Sequence, residues 1–264
     1  MSPPSSEAAD RLPAAEAPSA PPPSPAEPEK PQAQASPAEE PPAPKSGRSG
    51  SGGADPALVD LLGLLAFGEL TAFERMATDA RMAPTIPDKI ALATMAANEF
   101  AHFQAIGREL ERRGVDLETA MAPFVPALTA FHNLTAPADW LESLVKAYVG
   151  DGIAADFYRE IAGRLEPDVR ALVLDVLADT GHAAFVVDRV RAAISANPSV
   201  AGRLALWARR LVGEALTQAQ RVAVDREALT ELLAGVGDLD AIAAMFNRIT
   251  AAHSKRMAAM GLSG

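Results

Sequence analysis

The sequence predicts an all-α fold: a four-helix bundle of two hairpins joined by one long crossover, with two further helices at the C-terminal end. Three observations carry this. From Asp55 onward the apolar residues recur at helical spacing, and no segment shows the period-two alternation of a strand. Cap residues, prolines and glycines divide that stretch into long segments. Each of the four bundle segments also interrupts its own apolar stripe with a carboxylate near its middle.

Residues 1–54 stand apart. They hold 14 of the 22 prolines, no aromatic residue, and a closing Gly/Ser run from Ser46 to Gly53. Such a Pro/Ala/Ser/Glu-rich segment buries too little apolar surface to offset its ordering entropy, so a disordered, solubilising tail is expected. Residues 55–264 are expected to form the helical domain, the bundle covering 55–196 and the extra helices 199–260. Helix A starts at Asp55-Pro56, an N-cap followed by proline at the first helical position, and runs to about Arg81. Pro84 and Pro87 break the chain, and helix B follows to about Arg113, stopping at Gly114. A connection of about 25 residues with Pro123, Pro126 and Pro137 is long enough to cross the bundle. Helix C spans about Asp139 to Leu165, and helix D runs from Pro167 to about Ala196. Helix E spans about Ser199 to Leu233 and helix F Leu239 to Met260, separated by Gly235 and Gly237.

Composition excludes several classes. With no cysteine, a disulfide scaffold, a thiolate metal site and a thiol nucleophile are ruled out. The formal charge is −10; the tail holds 4 basic and 7 acidic residues, which leaves 20 and 27 in the body. A net negative field disfavours strong non-specific nucleic-acid binding. The richest apolar stretch, Leu58 to Phe67, is short for a membrane span and carries Asp60. No charged-then-apolar leader follows Met1, so no membrane association and a cytoplasmic location are expected.

The interrupted stripes hold the chemistry. Helix A presents Leu58, Leu62, Leu65, Phe73 and Met76 with Glu69 among them. Helix B presents Leu92, Met95, Phe103, Ile106 and Leu110, broken by Glu99 and His102. Helix C places Asp151 between Tyr148 and Ala155, and helix D places Asp179 between Val176 and Ala183, with His182 beside it. The order is carboxylate, carboxylate-x-x-His, given twice. Glu69 to Glu99 is 30 residues and Asp151 to Asp179 is 28, the intervals an antiparallel hairpin needs to bring both mid-helix positions to one height. Residues i and i+3 share a helix face, so each tetrad offers one oxygen and one nitrogen to a metal. Four carboxylates and two neutral imidazoles carry −4, which two divalent cations neutralise. Oxygen and imidazole ligands suit iron or manganese, and bridging carboxylates hold such a pair about 3.5–4 Å apart.

At Phe67-Gly68-Glu69-Leu70, Asn98-Glu99-Phe100-Ala101-His102, Val149-Gly150-Asp151-Gly152 and Ala178-Asp179-Thr180-Gly181-His182 the sequence resembles the ferritin-like di-iron carboxylate superfamily. Within it the chain looks most like the actinobacterial tRNA hydroxylase (MiaE)-like family, over roughly residues 55–233. Glu69, Glu99, His102 and His182 match the superfamily pattern, while Asp151 and Asp179 stand where glutamate is usual. The resemblance implies a non-haem di-iron, oxygen-activating protein with two iron ions (or manganese), which hydroxylates a modified adenosine in tRNA. It implies Glu69 and Asp151 as terminal or bridging ligands, Glu99 and Asp179 as bridges, and one histidine per iron. Tyr148, Asp156 and Asp175 are expected to be structural, as a core tyrosine and surface salt bridges. His132 and His253 fall off the stripes and are expected to be structural or exposed. Peroxide or Fe(II) oxidation of the rubrerythrin or ferritin kind is the alternative activity, and a non-catalytic, partner-binding bundle the alternative to an enzyme. The expected partners are tRNA, molecular oxygen or peroxide, and a second copy of the chain.

Overall fold

The computed structural model describes residues 54–178, 182–234 and 239–262. These residues are helical almost throughout, with no strand among them. Helix α1 (Pro56–Asp79) and α2 (Ile86–Arg112) form the first hairpin, linked by one 3-10 turn at Ala80–Met82. Asp55 caps α1 by accepting from the Ala57 amide at 3.1 Å, with Pro56 at the first helical position. Thr85 caps α2 through the Asp88 amide at 3.2 Å. Helix α2 stops at Gly114, whose φ of 71° is the left-handed turn that returns Val115 N–H to Leu110 C=O.

The crossover consists of two short helices, α3 (Leu117–Met121) and α4 (Val125–Leu134), around a 3-10 turn. Its Pro123 and Pro126 sit in first turns, where no amide partner is lost. Helix α3 passes close to α1 because position 63 is glycine; a Cβ there would lie 2.1 Å from the Ala120 carbonyl oxygen.

Helix α5 (Trp140–Ala162), capped by Asp139 through the Glu142 amide at 2.9 Å, opens the second half. Helix D of the sequence reading is not continuous. Helix α6 (Pro167–Val176) closes at Leu177, and α7 (His182–Ala196) starts afresh. The apolar stripe on either side of Leu177 and Ala178 hid the break. Helix E also divides, into α8 (Val200–Asp225) and α9 (Glu227–Ala234). At the break Arg226 is non-helical (φ −128°, ψ 78°), and its guanidinium grips the buried carboxylate of Asp60 on α1. Helix α10 (Leu239–Ala259) packs on α5. Arg189 of α7 reaches Asp88 at the start of α2 at 2.6 Å, joining the two halves.

By length and composition the segment 56–82 is apolar enough to cross a membrane. Inside the bundle that apolar surface is spent on packing: Leu61, Leu62, Leu65 and Ala66 are fully buried.

Two predictions follow from these contacts. Gly63→Ala gains helix propensity but drives a methyl into the α3 backbone, so the clash wins; unfolding in urea should show a loss of about 1–3 kcal/mol. The second concerns His253 of α10, which is 4% exposed, with neither ring nitrogen hydrogen-bonded. Burial, then the neighbouring Arg256, lowers its pKa to about 4. The native ring is therefore neutral while the unfolded ring protonates near pH 6.5, so stability falls as pH drops from 6.5 to about 4. The slope is up to about 1.4 kcal/mol per pH unit. Urea titrations across that range should show a shallower acid slope in His253→Leu than in the wild type.

Candidate metal centre

The bundle interior is two apolar clusters stacked end to end. One gathers Leu58, Leu62, Leu65, Ile106, Leu110 and Ile161; the other gathers Met76, Leu92, Met95, Leu144, Val186 and Leu204. Helices α1, α2, α5 and α8 each cross from one cluster to the other, and ligand-type residues stand at or near the crossing. On α1 Glu69 separates Ala66 from Ala72, and on α2 Glu99 and His102 separate Ala96 from Phe103. On α5 the change falls between Ile153 and Ala154, within one turn of Asp151. On α8 the same depth is taken by Gln218, between Val212 and Val222.

Glu69, Glu99 and His102 converge. One ligand atom from each lies within 4.8 Å of the others, and the two carboxylates are 9% and 8% exposed. His102 Nδ1 stands 3.4 Å from Glu69 Oε2 and 3.6 Å from Glu99 Oε2. These are ionic contacts, not hydrogen bonds, and they leave both Glu69 Oε2 and His102 Nδ1 buried without a hydrogen-bond partner. Burial, followed by Glu99, holds the Glu69 carboxyl well above the ordinary carboxylate range. Glu99 meets the same penalty from burial, but Glu69 and His102 outweigh it and keep its carboxyl below that range. Glu69, then Glu99, push the His102 imidazole up to about 10, against the effect of burial. The trio thus retains protons that a cation would displace. Two orphaned ligand atoms, facing inward from adjacent helices and drawn from oxygen and imidazole, fit a hard or borderline divalent metal.

The second half of the expected set is placed less tightly. Asp151 and His182 line the same cavity as the trio but lie outside the close cluster. His182 Nε2 is 3.2 Å from the Asn98 side-chain nitrogen, one residue before Glu99, so the two halves touch through this pair. Asp179 lies outside the described residues. Tyr148 lines the cavity. Asp156 is paired with Arg159 at 3.3 Å and Arg256 at 2.7 Å, in keeping with a salt-bridge role, although it is not on an exposed face.

Several residues escaped the sequence reading. Lys146 on α5 is buried, donates to the Thr135 carbonyl at 2.7 Å and lines the cavity. His132, expected off the core, lines it too, and its Nδ1 is buried without a partner. Gln218 is buried with its Nε2 unpaired. Tyr158 lies two turns beyond Asp151; burial, then Glu69, raises its phenol so that it stays protonated. The cavity these residues share has a volume of about 520 Å³, and most of its wall is aliphatic and aromatic.

A helical bundle with two hairpins, a long crossover and a buried Glu-Glu-His group at mid-height defines a carboxylate-bearing protein of the ferritin-like class. A family model described as "Ferritin-like domain, actinomycetes" matches residues 54–236, and the chain belongs to that family. No curated protein matches the chain.

A buried carboxyl that lacks its counter-cation is a burden on the metal-free fold. Glu69→Leu, close in volume, should stabilise the metal-free protein by about 1–3 kcal/mol in urea unfolding while removing any stabilisation by added divalent metal.

Proposed function

We propose that this protein is a non-haem dimetal oxidoreductase that activates oxygen or peroxide against an organic substrate lodged beside the metals. The supporting observation is the buried Glu69–Glu99–His102 group, with two orphaned ligand atoms, opening onto a large apolar cavity. In this reading Glu69, Glu99 and His102 hold one ion. Asp151, Asp179 and His182, with Glu99 shared, hold the second, and both are iron or manganese. When bound, the pair supplies the redox capacity to reduce dioxygen or peroxide.

The chain's own groups do the rest. Glu69 and His102 give up their protons as the cation enters, so uptake is favoured as pH rises. Asn98 orients the His182 ring through Nε2 and must yield that atom, or leave Nδ1, for coordination. Tyr158 remains a neutral phenol close to Glu69 and offers a hydrogen-bond donor rather than a charge. Leu64, Leu65, Leu92 and Phe157 exclude water from the space next to the carboxylates, which strengthens every electrostatic interaction there.

The resemblance to tRNA hydroxylases makes a modified tRNA adenosine the first substrate to offer, and the rubrerythrin or ferritin kind of activity makes peroxide and Fe(II) the next. Protein expressed in iron-replete medium should contain about two irons per chain by elemental analysis, and His102→Ala should lose them. At Fe(II) a hundredfold above its Kd the wild type should gain about 2.7 kcal/mol of stability. Hydroxylation of extracted tRNA, peroxide consumption and Fe(II) oxidation are then scored side by side. A chain that takes up neither iron nor manganese, with a melting temperature indifferent to both, is a non-catalytic bundle.

A further inference from the structure

The cavity is not uniform along its length. On α1 its wall runs from Leu64 through Glu69 to Arg75 and Asp79. At 1.5 Å per residue, Arg75 lies about 9 Å from Glu69 along the helix, and Leu64 about 7 Å on the other side. The Leu64 end is closed by Phe157, Val176, Val222, Leu229 and Met245, all apolar. The Arg75 end is built from Lys146, His132, Arg75 and Asp79 over the ring of Phe131. The metal trio stands between the two ends.

We propose that the cavity binds an anionic amphiphile, a carboxylate on a linear hydrocarbon chain, with the head at Lys146 and His132 and the chain lying past Glu69 and Glu99. Whether that molecule is the substrate rests on the dimetal reading above; its binding does not.

Four observations support the head site. Lys146 is 6% exposed, yet among the described residues it makes a single hydrogen bond, to the Thr135 carbonyl, which leaves donor capacity on an ammonium with three protons. Its Nζ sits 5.5 Å from the Phe131 ring centroid, which orients it without neutralising it. His132, whose ring packs edge-on to Phe131 at 5.2 Å, brings a buried Nδ1 with no partner. Arg75 is exposed, makes no hydrogen bond or salt bridge with the described residues, and adds a positive charge at the same end.

Asp79 is the one acid there. It forms no salt bridge with Lys146; burial raises its carboxyl pKa while Lys146, Arg75 and Arg81 pull the other way, so it acts on Lys146 only at longer range. A buried ammonium without a salt-bridged acid is costly unless something else completes it. A ligand carboxylate would do so, accepting from Lys146 and, in the appropriate tautomer, from His132. The apolar remainder selects the hydrocarbon: a cavity of about 520 Å³ lies in the range of small-molecule sites, and its wall beyond the carboxylates is apolar.

The test is calorimetric titration of the full chain with hexadecanoate, hexadecanol and hexadecylamine, each below its critical aggregation concentration, on metal-free and Fe(II)-loaded protein. Hexadecanoate should bind at one site per chain and both neutral and cationic analogues about tenfold more weakly or worse, the scale of one charge-assisted hydrogen bond. Lys146→Met should erase the preference for the acid, and Lys146→Arg should keep it. Equal binding of the three probes, no binding of any, or an unchanged preference in Lys146→Met would overturn the proposal. Should Lys146→Met fail to fold, the comparison of the three probes on the native chain decides alone. Hexadecanoate binding to a chain that takes up neither iron nor manganese when offered them would leave this inference standing and remove the dimetal reading. Metal uptake without hexadecanoate binding would do the reverse.

Discussion

Everything in this fold is subordinate to one constraint: three ionisable side chains must be held at a single depth in an otherwise apolar interior. Glu69, Glu99 and His102 reach that depth because α1 and α2 are antiparallel neighbours and each changes apolar partners there. The two packed clusters above and below fix the helices axially, so neither can slide to bring a carboxylate to water. Without that clamping the acids would escape by a small shift of register. With it they remain, partly protonated and short of partners, in a state that favours a cation.

The first half of the site was fully legible in the sequence, and the reason is physical. Glu69, Glu99 and His102 interrupt clean amphipathic stripes on two helices that each expose one face to solvent, so a polar residue on the buried face stands out. Helix α5 offered no such contrast. It is covered by α8 and α10 as well as by the bundle, and Ser143, Leu144, Val145, Lys146, Ala147 and Val149 are all buried. A helix buried nearly all round has no polar side against which Lys146 can look misplaced. His132 falls in the crossover, off the four apolar stripes, so no stripe marked it for the cavity that α4 turns it toward. The helix ends were read well wherever a side chain caps the backbone, at Asp55 and Asp139, and poorly where the break has a tertiary cause. Arg226 leaves the helix to reach Asp60, 166 residues away in sequence, and no local pattern records that.

The two halves of the centre are chemically unequal. The first is compact and offers glutamates whose longer side chains meet across the helix gap. The second offers aspartates, one methylene shorter, and a histidine already engaged with Asn98. Among the described residues the first half is therefore the closer to a ligating arrangement, and it is linked to His182 through Asn98, which adjoins Glu99.

Helix α10 is fastened to α5 at Gly152, a residue without a side chain. The Arg256 guanidinium lies across Gly152, where an added Cβ would come within 2.4 Å of its Nε, and its far end pairs with Asp156. The same helix supplies Met245, Phe246 and Ile249 to the cavity wall. A second pair, Arg248 on Glu160, holds the same two helices further along, so this wall of the chamber hangs from two ionic clasps. Small changes in either would alter the room inside while leaving Glu69, Glu99 and His102 untouched.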